Sequence, residues 1–256
     1  MMSYRRSGQG EAIFLLHGYA SSSAIWSSLI SHLETQFDVI ALDWPGFGAS
    51  HHYAPYTQLE DFAAGLLELA QTLHIPRFHV VGHSMSGFVV QQLLAQHQDV
   101  LLSAVLYGAG LKLDPLRRFE SIETTLQRLR QDGARVSAER VILSWFRDVT
   151  QDACAVQQCL DAAQGMTIEA GCAAIQAMAD ADFTHLLVHA EVPTLIILGE
   201  AERSHPPQSA LELKAALPHA HLAILPFAAH VAHLEQPKSF QQHLELFFSH
   251  VATHRP

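Results

Sequence analysis

Residues 80–87 read Val-Val-Gly-His-Ser-Met-Ser-Gly, and this stretch decides the fold prediction. It joins an apolar run typical of a buried strand to an apolar helical segment that begins near Met85. A sharp turn between strand and helix lifts the hydroxyl of Ser84 out of the sheet and points the first helical amides toward any oxyanion that forms there. Strand and helix approach closely at such a turn, so small residues have to flank the serine. Gly82 meets this need, whereas Ser86 stands where a second glycine is usual.

Six short apolar runs predict strands. Each is rich in Val, Ile, Leu or Phe and is bounded by Gly or Pro, as expected of strands buried on both faces. The runs cover residues 13–17, 37–42, 78–82, 104–108, 194–199 and 222–226. Helical patterns alternate with them over most of the chain. We therefore predict an α/β fold with a mostly parallel, doubly wound sheet flanked by helices.

Two of the predicted helices carry start signals. Apolar residues recur at helical spacing over 59–73, and Thr57 with Glu60 forms a predicted capping box before them. A second apolar stripe over 240–251 predicts a C-terminal helix, and Pro237 suits its first turn.

The alternation of strand and helix breaks between residues 111 and 190. This block contains no convincing strand, but it has one helical stripe over 172–178 and another that comprises Phe119, Ile122, Leu126 and Leu129. Extra helices outside the sheet would explain the pattern. An insertion over the carboxyl ends of the strands, where open α/β sheets bind ligands, fits the motif positions better. We predict a core formed by residues 1–110 and 191–256 and a helical cap formed by residues 111–190.

His230 is the candidate base for Ser84, because a serine hydroxyl is a poor nucleophile without one. It follows the last predicted strand and precedes the final helix, on a loop at the same edge of the sheet as the serine. The order serine, acid, histidine is the one such sheets use, and it favours His230 over earlier histidines. His233 is an alternative, and a role for either histidine in merely capping the helix is left open.

Charge and hydropathy exclude some classes of protein. The 256 residues include 25 acidic and 15 basic side chains, a formal net charge of −10, whereas a nucleic-acid surface needs clustered Lys and Arg.

No apolar run approaches the ~18 residues that span a bilayer. Arg5 and Arg6 precede the apolar stretch 12–16 as in an export signal, but the polar residues between them favour a hairpin of strand, Gly-rich turn and strand.

The cysteines and histidines show no metal-binding pattern. Three cysteines without a framework, Cys154, Cys159 and Cys172, indicate free thiols in a reducing compartment, so we expect a cytoplasmic protein. The 18 histidines include no HExxH spacing, and no CxxC occurs. We expect a small-molecule substrate and neither a metal nor a cofactor.

Five stretches together resemble successive signatures of the α/β-hydrolase superfamily, in that family's order and spacing. They are His17-Gly18, residues 43–50 (Asp-Trp-Pro-Gly-Phe-Gly-Ala-Ser), the turn at Ser84, residues 193–202 and residues 229–237. The resemblance implies that the backbone amides of Tyr19 and Met85 form an oxyanion hole. Such donors stabilise the transition state by about 3 kcal/mol each. It also implies a structural role for the turn at residues 45–48.

The acid of the implied triad departs from the family pattern. Where the family has Gly-x-x-Asp after the penultimate strand, residues 199–202 read Gly-Glu-Ala-Glu, so Glu202 takes the place of the acid. Glutamate is able to hold the tautomer of the base and to stabilise the imidazolium. Glu200 and, beyond the earlier strand, Asp114 remain alternatives, as does a surface Glu202 paired with Arg203.

The resemblance implies hydrolysis of an ester or related acyl bond, in which Ser84 forms an acyl-enzyme and His230 transfers the proton. A carboxylesterase acting on small or medium acyl esters is the leading interpretation. A C–C bond hydrolase or lyase would use the same triad. The departures at Ser86 and Glu202 are also compatible with a catalytically silent receptor, and the fold alone does not distinguish an enzyme from a receptor.

The residues that bind substrate are not identified, although four aromatic or sulfur-containing side chains are candidates for the pocket wall: Phe119, Trp145, Phe146 and Met166.

Overall fold

The computed structural model describes residues 1–114 and 120–254. Strands in these residues are β1 (Tyr4–Gly8), β2 (Glu11–Leu16), β3 (Phe37–Leu42), β4 (Phe78–His83), β5 (Leu101–Tyr107), β6 (Thr194–Gly199) and β7 (His221–Leu225). They form one sheet in the order β1-β3-β2-β4-β5-β6-β7. Strands β2 to β7 run parallel, and β1 is antiparallel to β3. The predicted α/β fold with a mostly parallel sheet is confirmed.

The described residues also form helices, and several of these pack against the sheet. In chain order they are α1 (Ser27–Leu33), α2 (Leu59–Thr72), α3 (Met85–Gln96), α4 (Ile122–Ser144), α5 (Ala153–Ala162), α6 (Ile168–Ala179), α7 (Pro207–Ala216), α8 (Ala232–Glu235) and α9 (Pro237–Thr253). Every residue of β4 and β6 is buried, which explains why both strands are mostly apolar. Of the described helices, none is both long enough and apolar enough to cross a lipid bilayer.

The predicted N-terminal hairpin is wrong in its pairing. Both strands form, but β1 pairs with β3, with Tyr4 opposite Leu42, and not with β2. The reason is that both edges of β2 are already taken, by β3 on one side and β4 on the other. The first strand therefore adds to the free edge of β3, where Arg6 forms a 2.6 Å ion pair with Asp38 across the two strands.

Of the two predicted helix starts, one is confirmed and the other is wrong by one residue. Helix α2 begins one residue later than the predicted capping box requires, so the box is formed by Gln58 and Asp61 and not by Thr57 and Glu60. Helix α9 begins at Pro237 as predicted. A proline fits there because the first amides of a helix have no intrahelical acceptor.

The segment between β5 and β6 is helical. Its described residues contain α4, α5 and α6 and no strand, apart from a single bridge between Lys112 and Asp182. Helix α4 is kinked at Gly133, whose φ of 83° interrupts the helical backbone. The predicted apolar stripe is partly visible. Leu129 is fully buried, Ile122 and Leu126 are half-buried, and Phe119 lies outside the described residues.

Candidate active site

Ser84 occupies the sharp turn between β4 and α3. Its backbone angles are φ 53° and ψ −113°, a left-handed conformation that costs a residue other than glycine about 1–3 kcal/mol. Two backbone hydrogen bonds hold the turn: the Ser84 amide donates to the Tyr107 carbonyl at 2.8 Å, and the Gly87 amide donates to the Ser84 carbonyl at 2.8 Å. The strain is thus supported by the neighbouring strand and by the first turn of the helix.

Close packing around this turn requires two glycines. A Cβ atom on Gly82 would lie 2.3 Å from the Ser86 carbonyl oxygen, and one on Gly87 would lie 2.3 Å from the Cβ of Ala109. Neither distance is tolerated. Both positions therefore have to be glycine.

Ser86 makes two hydrogen bonds that a glycine could not make. Its hydroxyl donates to the carbonyl of His17 at 2.5 Å and accepts from Nε1 of Trp44 at 3.0 Å. All three residues are buried. The hydroxyl thereby ties the first turn of α3 to the loop that carries His17 and Tyr19, the loop expected to supply one oxyanion donor.

His230 and Glu202 form a buried pair. His230 Nδ1 lies 2.6 Å from Glu202 Oε2, and the other carboxylate oxygen accepts from the amides of Ser204 at 2.7 Å and His205 at 3.3 Å. Burial alone would raise the pKa of Glu202, but the charge and hydrogen bond of His230, the charge of His205 and the amide of Ser204 bring the pKa below its usual value. An ionised Glu202 therefore faces the imidazole ring.

The alternative acids and bases have other partners. Glu200 is exposed and accepts a hydrogen bond from the Phe227 amide at 2.8 Å. His233 is buried, with Nδ1 2.9 Å from the Tyr107 hydroxyl and Nε2 3.3 Å from the Ile25 carbonyl. Burial lowers the pKa of His233 to about 3, so it is neutral. Of His230 and His233, only His230 lines the cavity that Ser84 also lines.

His83 helps to hold the candidate base His230 in place, a role that the sequence did not predict. Its Nε2 donates to the His230 carbonyl at 2.9 Å, and the two ring centroids lie 4.6 Å apart. The His230 amide in turn donates to the Trp145 carbonyl at 2.9 Å, so the backbone of the candidate base is held on both sides. Burial, with the neighbouring His230 and His233, holds the pKa of His83 well below its usual value. A neutral His83 does not repel a positive charge on His230.

A cavity of about 80 Å³ brings these elements together. It is lined by residues from the core and from the helical segment: Tyr19, Ser84, Leu113, Thr125, Val141, Trp145, Ile175, Met178, Arg203, Ser204, His205 and His230. Of the pocket candidates named from sequence, Trp145 lines this cavity, Phe146 and Met166 do not, and Phe119 lies outside the described residues. Within the described residues no group of three or more His, Cys, Asp or Glu side chains is arranged to hold a metal ion.

Met85 and Tyr19 carry the two backbone amides that are predicted to act as oxyanion donors. Met85 is the first residue of α3, directly after Ser84, so its amide belongs to the free N-terminal end of the helix. Tyr19 lies on the loop after β2 and lines the cavity.

A family model described as alpha/beta hydrolase fold matches residues 11–237. One similar curated protein is the pimeloyl-[acyl-carrier protein] methyl ester esterase of Vibrio vulnificus, 26% identical over 96% of this chain and 97% of that protein. Another is the (E)-2-((N-methylformamido)methylene)succinate hydrolase of Acinetobacter baylyi, 23% identical over 94% of this chain and 92% of that protein. Among solved structures, the enol-lactonase of Burkholderia xenovorans LB400 superimposes with a TM-score of 0.89 at 23% identity, covering 97% of this chain and 96% of the other.

Proposed function

The chain belongs to the α/β-hydrolase fold family and is an enzyme of that type, and we propose that it hydrolyses esters of small carboxylic acids through an acyl-enzyme on Ser84. The observation that carries the proposal is the shared cavity of Ser84 and His230, with Glu202 held 2.6 Å behind the histidine. A nucleophile, a base and an acid that orients the base are the parts that acyl transfer requires.

In the proposed reaction, the Ser84 hydroxyl attacks the ester carbonyl and passes its proton to His230. The imidazolium that forms is stabilised by the ionised Glu202 and then donates the proton to the departing alcohol. Water, deprotonated by the same histidine, attacks the acyl-enzyme and releases the acid, which restores Ser84. Each proton taken up by His230 is returned within the same half-reaction.

The proposed oxyanion hole consists of the amides of Met85 and Tyr19. Two hydrogen bonds of the Ser86 hydroxyl support this role: it donates to the His17 carbonyl and accepts from Nε1 of Trp44, and so fixes the loop before Tyr19 relative to the start of α3. Donors held rigidly in this way lose no reorganisation energy when negative charge develops on the substrate oxygen.

We further propose that residues 111–190 act as a cap that limits substrate size. Side chains from this segment form most of the apolar cavity wall, among them Val141, Trp145, Ile175 and Met178. Ligand pockets usually measure about 300–1,000 Å³, and a cavity of about 80 Å³ favours short acyl groups.

A fluorophosphonate probe tests the nucleophile. We expect one labelled site per chain, at Ser84, mapped by peptide mass spectrometry, and an initial burst of product with an activated ester. Ser84→Ala should abolish both, with little effect on the thermal unfolding midpoint, because alanine keeps the Cβ atom and therefore the same backbone strain as serine. The matched control is Ser204→Ala, which removes another hydroxyl that lines the cavity and should leave labelling intact. Labelling at another residue, or a folded protein without label or burst, would refute the proposal.

A further inference from the structure

Arg203 brings a positive charge to the catalytic cavity. It follows Glu202 in the loop after β6 and lines the same cavity as Ser84 and His230. The side chain is exposed, and within residues 1–114 and 120–254 it makes no hydrogen bond or ion pair. An arginine guanidinium stays protonated at any pH at which the protein is folded.

The adjacent carboxylate does not neutralise this charge. Glu202 is buried, and its two oxygens are occupied by His230 on one side and by the amides of Ser204 and His205 on the other. Its negative charge is directed at the imidazole ring. The guanidinium of Arg203 is therefore available to a ligand in the cavity.

The rest of the described lining offers no substitute partner. None of the residues that line the cavity in the described parts of the chain is an aspartate or glutamate, and the residues that α4 and α6 contribute to the lining are apolar apart from Thr125. A chain with a net charge of −10 has many acidic side chains available, yet none pairs with Arg203 among the described residues. A cation in a partly apolar cavity attracts an anion more strongly than one in bulk water, because the local dielectric is lower.

We propose that Arg203 binds a carboxylate of the substrate, so that the preferred esters carry a second, ionised carboxyl group a few methylene groups from the scissile bond. The proposal rests on the ester hydrolysis proposed above and names its substrate class. The planar guanidinium donates two parallel hydrogen bonds to a carboxylate, which gives geometric selectivity as well as attraction. The small cavity restricts the chain between the two groups to a short one.

Two matched ester pairs test the proposal and show on which side of the ester the carboxylate lies. Monomethyl glutarate and its neutral counterpart methyl glutaramate differ only in the charge of the acyl end. O-acetylglycolate and O-acetylglycolamide differ in the same way on the alcohol side. We expect kcat/KM to favour the anionic ester in one pair, and Arg203→Met to reduce that preference about thirtyfold, as for a charge-assisted hydrogen bond.

Two further variants distinguish specific binding of the carboxylate by Arg203 from a general effect of positive charge on the protein. Arg203→Lys keeps the charge but loses the paired donors, and it should retain part of the preference. Arg135→Met removes an exposed cation of α4 that does not line the cavity, and it should leave the preference intact. Equal rates within both pairs, or a preference that survives Arg203→Met, would overturn the assignment while leaving ester hydrolysis standing.

Binding provides a readout that does not depend on turnover. The intact esters are titrated calorimetrically into the Ser84→Ala protein, with and without Arg203→Met. If one anionic ester binds more tightly than its neutral counterpart, and the difference is lost in the double variant, the carboxylate site is supported. Should the wild-type protein nevertheless hydrolyse no ester, only the proposed function is refuted and the carboxylate site stands. Equal binding of charged and neutral esters refutes the site.

Discussion

Glu202 is one methylene longer than the aspartate usual at its position, yet it lies 2.6 Å from His230. The extra length is accommodated because the amides of Ser204 and His205 hold the second carboxylate oxygen. The loop after β6 thus fixes the carboxylate independently of the histidine. A glutamate held in this way is preorganised to stabilise the imidazolium.

If this arrangement is catalytic, Glu202→Gln should lower kcat by about a hundredfold or more, since the equivalent acid-to-amide change in a serine protease costs about ten-thousandfold. The amide is able to hydrogen-bond the ring but does not balance its positive charge. KM should change much less than kcat, because the carboxylate acts on the base. Steady-state kinetics with an activated ester would show this division.

Two matched substitutions accompany that measurement. Glu200→Gln alters an exposed carboxylate two residues away that bonds only to the Phe227 amide among the described residues, and it should leave kcat nearly unchanged. Glu202→Asp restores the usual residue but shortens the reach, so an intermediate loss is expected. A large loss for Glu200→Gln combined with none for Glu202→Gln would move the acid to Glu200.

The role of a single residue can be predicted from sequence when the residues that define the role are neighbours in the chain. Ser84 could be proposed as the nucleophile because strand, turn and helix are contiguous in sequence. The roles of His83 and Ser86 were not foreseen, since they depend on hydrogen bonds to the His230 and His17 carbonyls. Those partners lie 147 and 69 residues away in the chain, and no spacing rule connects them.

At the scale of elements, α6 supplies the part of the cavity wall that is best suited to mutation. Ile175 and Met178 of this helix line the cavity, and they belong to a different element from the loops that hold Glu202 and His230. Trp145 is less suitable because its ring is 5.4 Å from that of His230 and its carbonyl accepts from the His230 amide. Trimming it would disturb the candidate base as well as the pocket.

Met178→Ala should enlarge the cavity and shift the preferred acyl chain toward longer esters, while the rate with an acetate ester changes little. The physical reason is that a side chain at the wall is removed without a change in the catalytic groups. A series of p-nitrophenyl esters of increasing acyl length measures the shift.

The matched control is Ile142→Ala, which removes a fully buried side chain of α4 that does not line the cavity. It should destabilise the protein by about 2–5 kcal/mol and leave the ratio of rates along the series unchanged. An unchanged profile in Met178→Ala would remove α6 from the substrate wall.

Prediction of whole elements succeeded where burial set the pattern. The six predicted strands all form, because runs buried on both faces are apolar whatever they pair with. The pairing of β1 was mispredicted, since only the complete sheet shows that both edges of β2 are used. The cap of α2 was misplaced by one residue because Thr57, Gln58, Glu60 and Asp61 all have polar side chains, and the local backbone selects among them.

At the scale of the whole molecule, the core encloses several titratable groups that folding holds uncharged. His17, His83 and His233 are buried with pKa values below the ordinary value of 6.5, in each case mainly because burial disfavours the charged ring. In the unfolded chain these imidazoles are exposed to water and take up protons at ordinary pH values. The free energy of unfolding is therefore linked to pH.

The sign of this linkage follows from proton counts. Between pH 6.5 and the lowered pKa values, the unfolded chain binds protons that the folded protein does not, so stability falls as the pH falls. Each histidine contributes up to about 1.4 kcal/mol per pH unit. Glu202, whose pKa is lowered from 4.5, adds a further loss in the same direction only as the pH drops below that value. Between pH 6 and 5 the histidines dominate. His233, whose pKa is lowered to about 3, should reduce the free energy of unfolding by about 1 kcal/mol per pH unit, and His17 and His83 add to the fall in the same direction.

Urea unfolding followed by tryptophan fluorescence at pH 7.5, 6 and 5 measures this slope. His233→Gln should be less stable at pH 7.5, because it loses the hydrogen bonds to Tyr107 and Ile25, but its stability should depend less steeply on pH, by about 1 kcal/mol per unit. His219→Gln changes an exposed histidine and should leave the slope as it is. Loss of a hydrogen bond alone would lower the free energy of unfolding by the same amount at every pH. A parallel shift of the plot of this free energy against pH in His233→Gln would therefore show that His233 titrates in the folded protein much as it does in the unfolded chain.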